Sequence, residues 1–271
     1  MRQISNGIAL LAAVALAAGT AVAGGPPSGP VTKCPVDSVV SGAGCMDRYE
    51  ASVWRVPNPT TTNAGLVARI QQGKATIELL MAAGASLLGT TSDDYAPCAD
   101  SGQNCADDIY AVSLPRVTPS AFITWFQAQQ ACTNSRKRLP SSAEWQAAAT
   151  GTQDPGPDNE TTDCNTTLFA TVLTGSRSNC VSSRGAFDMV GNLNEWVADW
   201  VPRSTGCGEW SAEVSPTDDS QCLAGAATTG EPGALLRGGH FGFKTQAGPL
   251  FIDGTNSPSA SSFSIGFRCV R

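Results

Sequence analysis

The chain has 271 residues, ten cysteines and one histidine, with 17 Lys and Arg against 23 Asp and Glu. An acidic balance without basic clusters excludes nucleic acid as the expected partner. Apart from the N-terminus, no stretch has the length and apolarity of a membrane span.

In chain order, Met1–Ala23 reads as a cleavable signal peptide. Arg2 supplies the positive start, Ile8–Ala18 an apolar run too short to cross a bilayer, and Ala21-Val22-Ala23 a small-residue cleavage site. No cysteine follows the cleavage point, so a lipoprotein anchor is not expected, and the mature protein is expected to be secreted or periplasmic. Residues 24–44 read as a flexible leader, with Gly24–Pro30 its Gly/Pro-rich tether. Met46-Asp47-Arg48-Tyr49-Glu50 alternates towards Val53 and Trp54 and predicts an early strand, which Pro57–Asn63 breaks. Helical patches follow at Ala64–Gln72 and Ala75–Leu88, separated by Gly73. The second sets Ile77, Leu80, Met81 and Leu88 near one face, so it packs on the body or forms a lid. Asp93–Asp108 is a polar loop carrying its own cysteines.

Thr118 is the predicted N-cap of a better helix, with Pro119 at its first position and Phe122, Trp125, Phe126 and Cys132 at helical spacing. After Leu139-Pro140, Ser141 and Glu144 can form a capping box, with Trp145 and Ala148 facing inward. From Gly151 onward Gly, Pro, Asn, Asp, Ser and Thr dominate, which implies long loops held by disulfides.

Cysteines in an exported chain read as disulfides rather than metal ligands, and none stands in a Cys-x-x-Cys spacing. Sequence neighbourhood suggests Cys34–Cys45, Cys98–Cys105, Cys164–Cys180 and Cys207–Cys222. Cys132, on a predicted helix, and Cys269, at the C-terminus, remain. Closing so long a loop would stabilise the fold by about 2–5 kcal/mol. Spacing alone leaves the connectivity open.

Five motifs occur in order: Met46–Glu50; Lys137-Arg138-Leu139-Pro140 with Glu144-Trp145; Asp188-Met189-Val190-Gly191-Asn192 with Glu195-Trp196; Arg237-Gly238-Gly239; and Gly266-Phe267-Arg268. Each is weak alone, but together they resemble the sulfatase-modifying-factor, or formylglycine-generating enzyme, domain. The resemblance runs over residues 45–271, with a helical insertion around 57–108 fitting it least. It implies an α+β, C-type-lectin-like fold rich in irregular structure, with a bridge between the cysteines matching Cys132 and Cys269.

Three chemistries are weighed. The family oxidase binds copper through two cysteines after Arg-Gly-Gly, and the matching positions here are Phe243 and Gly248. Neither forms the thiolate that copper(I) requires. A sulfoxide-forming, iron-dependent branch needs several histidines, and this chain has only His240. Neither copper nor iron is therefore expected, and His240 reads as a contact residue. Second, the resemblance places a structural calcium ion at Asp188, the carbonyls of Gly191 and Leu193, and Glu195. The alternative is that the two carboxylates hydrogen-bond loop groups in the core. Asn165 matches a second such site only weakly.

Third, the terminal frame from Arg237-Gly238-Gly239 to Ile265–Cys269 encloses His240, Phe241, Gly242, Phe243, Ile252, Asp253, Gly254, Thr255, Asn256, Ala260, Ser262, Phe263 and Ser264. Every one of these residue types is encoded by a triplet reached from AAC by changing only its adenines. That pattern resembles the variable proteins of diversity-generating retroelements, which imply a rigid scaffold presenting exchangeable contacts. The competing reading is that small residues are common in loops and that Phe241, Phe243, Phe251 and Phe263 pack a core. Asn159-Glu160-Thr161 and Asn165-Thr166-Thr167 are glycosylation sequons, of use only in a eukaryotic secretory pathway. The sequence therefore points to a catalytically silent domain that binds a protein or glycan through its C-terminal segment. A formylglycine-generating oxidase and a structural envelope component are the alternatives.

Overall fold

A computed structural model describes residues 33–92, 94–105, 109–154, 158–215 and 218–271. The signal peptide and the Gly24–Pro30 tether lie outside the described residues. Three sheets form the body. A hairpin pairs β1 (Ser38–Ser41) with β2 (Gly44–Asp47). A three-stranded sheet runs β4 (Ser86–Leu88), β3 (Ala51–Arg55), β5 (Ile109–Ser113). The main sheet has six strands in the order β11-β6-β9-β10-β8-β7. These are β6 (Asn194–Val201), β7 (Gly206–Glu209), β8 (Ser220–Ala224), β9 (Gly233–Arg237), β10 (Ile252–Asp253) and β11 (Ile265–Phe267).

The leader is shorter than residues 24–44. Ser38–Gly44 already belongs to the β1–β2 hairpin, which the Cys34–Cys45 bridge ties at its base. The early strand is two strands, because the chain turns inward between them. Lys137 reaches Asp47 at 2.7 Å, and Glu50 accepts the Leu193 N–H at 3.0 Å. A continuous strand would send one of these carboxylates to solvent.

The first helix, α1, is Ala64–Gln71. The second, α2, covers only Ile77–Ala82, not the predicted span to Leu88. Gly84 at φ +71° ends it, and Ser86–Leu88 pairs with β3 instead. Leu66, Ile70 and Leu80 share a buried cluster with Trp54, Tyr110 and Leu114, so this region packs on the body and is no lid. Met81 faces solvent rather than the packed face.

The N-cap of α3 (Trp125–Asn134) is Thr124, not Thr118. Thr124 Oγ1 accepts the Gln127 N–H at 3.2 Å and the Gln127 side chain accepts the Thr124 N–H at 3.1 Å, a capping box that overrides the Thr-Pro signal. Phe122 has φ +54°, which a helix cannot contain. By contrast α4 (Ser142–Ala149) starts at the Ser141–Glu144 box and buries Trp145 and Ala148.

Trp196, Leu236, Phe267, Ile123 and Leu139 form one core between α3 and the main sheet, and Trp145, Met189, Val197 and Val270 form a second beneath α4. Five disulfides join Cys34–Cys45, Cys98–Cys105, Cys132–Cys269, Cys164–Cys180 and Cys207–Cys222. The third fastens α3 to the chain just after β11 across 137 residues.

Candidate ligand-binding surface

The two ends of the terminal frame are pinned by backbone sterics and by one buried ion pair. Gly238 and Gly239 have φ +85° and +76°, and a Cβ at Gly239 would lie 2.6 Å from the Ala247 Cβ. At the other end Arg268 is fully buried. It donates to Glu195 at 2.5 and 2.7 Å, to the Phe187 carbonyl at 2.9 Å and to the Asp47 carbonyl at 3.2 Å. Trp145 Nε1 adds a 2.7 Å bond to Glu195. Glu50 and Asp188 face the same guanidinium. Burial, followed by the neighbouring carboxylates, pushes Glu50 well up, and burial raises Asp188 to about 7.

At the positions assigned to calcium (Asp188, Gly191, Leu193 and Glu195) the two carboxylates already have protein partners. Glu195 spends both oxygens on Arg268 and Trp145, and Asp188 accepts the Gly175 N–H at 2.7 Å. Arg268 neutralises one of the three carboxylates gathered here, Glu195, and lies beside the other two. Among the described residues no cluster of three or more His, Cys, Asp and Glu is arranged to hold a metal.

Between the frame ends the rings form a chain. Centroids lie 5.8 Å apart for Phe241–Phe263, 5.0 Å for His240–Phe241, 4.2 Å for His240–Phe243 and 5.2 Å for Phe243–Phe251. Phe241 and Phe263 line a cavity of about 240 Å³ together with Phe122, Phe169, Thr90 and Thr118. Phe169 and Phe263 are 68% and 56% exposed at its mouth, whereas Phe241 is 3% exposed. His240 Nδ1 accepts the Gly242 N–H at 3.1 Å, and burial lowers its pKa to about 4. The imidazole is neutral at pH 7, with one nitrogen already used.

The contact residues expected from the sequence do not all face outward. Ile252 and Asp253 are buried in β10 between β9 and β8, and Ser264 is buried where its carbonyl accepts the Asn194 N–H at 2.9 Å. Asp253 accepts from Thr255 N–H at 2.7 Å, Thr255 Oγ1 at 2.6 Å and Asn256 Nδ2 at 3.0 Å, which makes it the anchor of its own turn. Phe241, Ile252, Asp253 and Ser264 therefore hold the segment. His240, Gly242, Phe243, Thr255, Asn256, Ser262 and Phe263 carry its accessible surface. The fold brings 240–243 to 262–264 through the Phe241–Phe263 contact. The 252–256 turn is fastened elsewhere, to β9 and to Ser204.

Phe122 and Phe169 complete the cavity, and neither was expected there. Phe122 looked like a residue on a helix face. Phe169 is a lone aromatic in a polar loop, and that isolation was the available signal. At the positions of the enzyme's copper ligands, Phe243 packs on His240 and Phe251, and Gly248 lies against the Asp219 carboxylate with no room for a side chain. The ten cysteines of the chain are all consumed by the five bridges.

Fold and frame together define an α+β, C-type-lectin-like domain. The sequence profile of the sulfatase-modifying factor enzyme 1-like domain matches residues 60–271, and the chain belongs to that family. The chain is 29% identical over 161 residues to the serine/threonine-protein kinase Pkn1 of Chlamydia trachomatis serovar L2, covering 56% of this chain and 24% of that protein. Pkn1 of Chlamydia caviae is 30% identical over 156 residues, with the same shares. The chain spans only 24% of the length of these curated relatives. Similar solved structures include the Major Tropism Determinant I1 variant, with a TM-score of 0.48, 20% identity, and coverage of 89% of this chain and 54% of that one. Treponema denticola variable protein 1 has a TM-score of 0.44, 14% identity, and coverage of 86% and 85%.

Proposed function

We propose that this domain is catalytically silent and binds a protein or glycan ligand outside the cytoplasm through the surface between the two ends of its C-terminal frame. The observation that carries this reading is the convergence of Phe241 and Phe263, distant in sequence, with Phe122 and Phe169 around one cavity. Two flanking rings lie open to solvent on a base fixed by Arg268, paired glycines and the Cys132–Cys269 bridge. Rigid placement of exposed aromatics lowers the entropy lost on binding. Bridging of every cysteine supports an oxidising compartment and leaves no thiolate for copper chemistry. A shared fold does not restore a reaction whose reactive groups are gone.

The residue types in the segment further support diversification of this surface. Sequencing the codons for Arg237–Arg271 across many cells of the source population tests it. Adenine-directed substitutions at His240, Gly242, Phe243, Thr255, Asn256, Ser262 and Phe263 are expected. An invariant segment would overturn diversification and leave a fixed binding domain. Silence is tested separately by incubating the protein with copper, reductant and a sulfatase-type cysteine peptide. Mass spectrometry is expected to return unchanged peptide, and an aldehyde product would refute the reading.

A further inference from the structure

A second cavity lies elsewhere, and none of its walls belongs to the terminal frame. It measures about 490 Å³, within the roughly 300–1,000 Å³ typical of small-molecule sites. Its apolar walls come from three separate places: Val36 and Tyr49 beside the β1–β2 hairpin, Ala75 and Ile77 at the start of α2, and Leu114 and Pro115 after β5. The walls are set by tertiary contacts. The Tyr49 ring stacks on Phe187 at 5.3 Å, and the Tyr49 N–H donates to Ser113 Oγ at 3.1 Å.

The charges on the wall differ in how far they are already satisfied. The Asp37 carboxylate is held by Arg271 at 2.8 and 3.2 Å and lies 3.7 Å from Lys137. Burial opposes its charge, but those two cations outweigh burial and lower its pKa. Glu78 sits at the exposed rim. Arg48 is different. It is half-buried, its guanidinium makes one hydrogen bond, to the Gly185 carbonyl at 3.4 Å, and among the described residues it has no ion pair. Guanidinium presents five donors in a planar fork, so most of its capacity is unspent at the edge of an apolar cavity.

We infer that this cavity is a binding site for a small amphiphilic anion, its apolar body against Tyr49, Ile77 and Leu114 and its carboxylate or sulfonate on Arg48. An apolar body is needed to displace water from the walls. An anionic head is needed because Arg48 is the wall group with unused charge-assisted donors.

Isothermal titration with 2-naphthoate and its neutral isostere 2-naphthamide tests this on the whole mature protein. Naphthoate should bind with one-to-one saturation and about ten- to hundredfold tighter than the amide, the range for hydrogen bonds to a charged group. Arg48→Gln should erase that difference while leaving amide binding and the melting temperature in place. Ala75→Trp, which fills the cavity, should abolish both. Should Ala75→Trp fail to fold, naphthoate-induced NMR shifts in the wild-type protein locate the ligand, and they are expected at Tyr49, Ile77 and Leu114. Equal affinity for the two probes, an unaffected Arg48→Gln variant, shifts confined to another region, or no saturable binding would each overturn the inference.

Discussion

Arg268→Met is expected to be among the most damaging single changes in this protein. The side chain is fully buried and serves five acceptors: both Glu195 oxygens and the carbonyls of Phe187, Asp188 and Asp47. Methionine fills similar volume, so cavity formation contributes little and the loss is electrostatic. Breaking a buried pair by removing one partner costs about 3–5 kcal/mol, because the other charge stays buried and uncompensated. The three orphaned carbonyls add a penalty of about 1–3 kcal/mol each where water does not reach them. Against a total stability of about 5–15 kcal/mol, the variant should retain little folded population at 37 °C. Urea unfolding with the disulfides intact measures the loss at 20 °C. Glu195→Gln should cost less, since the amide can still accept from Trp145. The double variant Arg268→Met/Glu195→Gln should be more stable than Arg268→Met alone, because it removes the stranded charge. Additive single effects, or an Arg268→Met loss under about 0.5 kcal/mol, the scale of ordinary surface changes, would refute this account.

Three further outcomes follow from the same geometry. Removing Cys132–Cys269 should destabilise the protein by about 2–3 kcal/mol more than removing Cys98–Cys105, because the closed segments differ as 137 to 7 residues; paired alanine variants and denaturant melts check this. Burial, with Asp154 beside it, raises Asp219 from 3.8 to about 7, so its contribution is fully present below pH 3.8 and is lost as pH rises towards 7. Asp219→Asn should flatten the fall in melting temperature over that window, and an unchanged slope would rule Asp219 out as its source. Chelator should leave the unfolding midpoint in place, whereas an ion bound at a hundred times its dissociation constant would withdraw about 2.7 kcal/mol on removal.

What the sequence revealed depended on how local the determining physics is. The α4 capping box was legible because Ser141 and Glu144 satisfy each other within one turn. Thr118-Pro119 carried an equally local signal and misled, since the competing Thr124–Gln127 box was the one realised. Ser86–Leu88 looked like the tail of a helix because its pairing partner, β3, is more than thirty residues away and leaves no mark on the local pattern. The ordered motifs located the frame. They could not show that Arg268 occupies the place between Glu195 and Asp188, since charge balance in a core depends on three segments meeting. The 490 Å³ cavity was invisible for the same reason, with walls drawn from three unconnected stretches.

Burial inside the frame also limits what any diversified version of this surface can tolerate. Codon chemistry treats Asp253 and Asn256 alike, but the fold does not. The Asp253 carboxylate satisfies three donors, and most substitutes would leave the Thr255 N–H and two side chains without partners. Phe241, at 3% exposure, sits in a buried cluster with Ala121 and Leu193, so only apolar replacements of similar volume keep that packing. Phe263, 56% exposed, has no such duty. Free exchange can therefore act on the cavity mouth while Phe241 in its floor and Asp253 in the turn stay fixed. Substitution frequencies graded by exposure, high at Phe263 and low at Asp253, are the pattern a folded receptor would leave. Uniform frequencies across both would mean that variation is not being filtered by this fold.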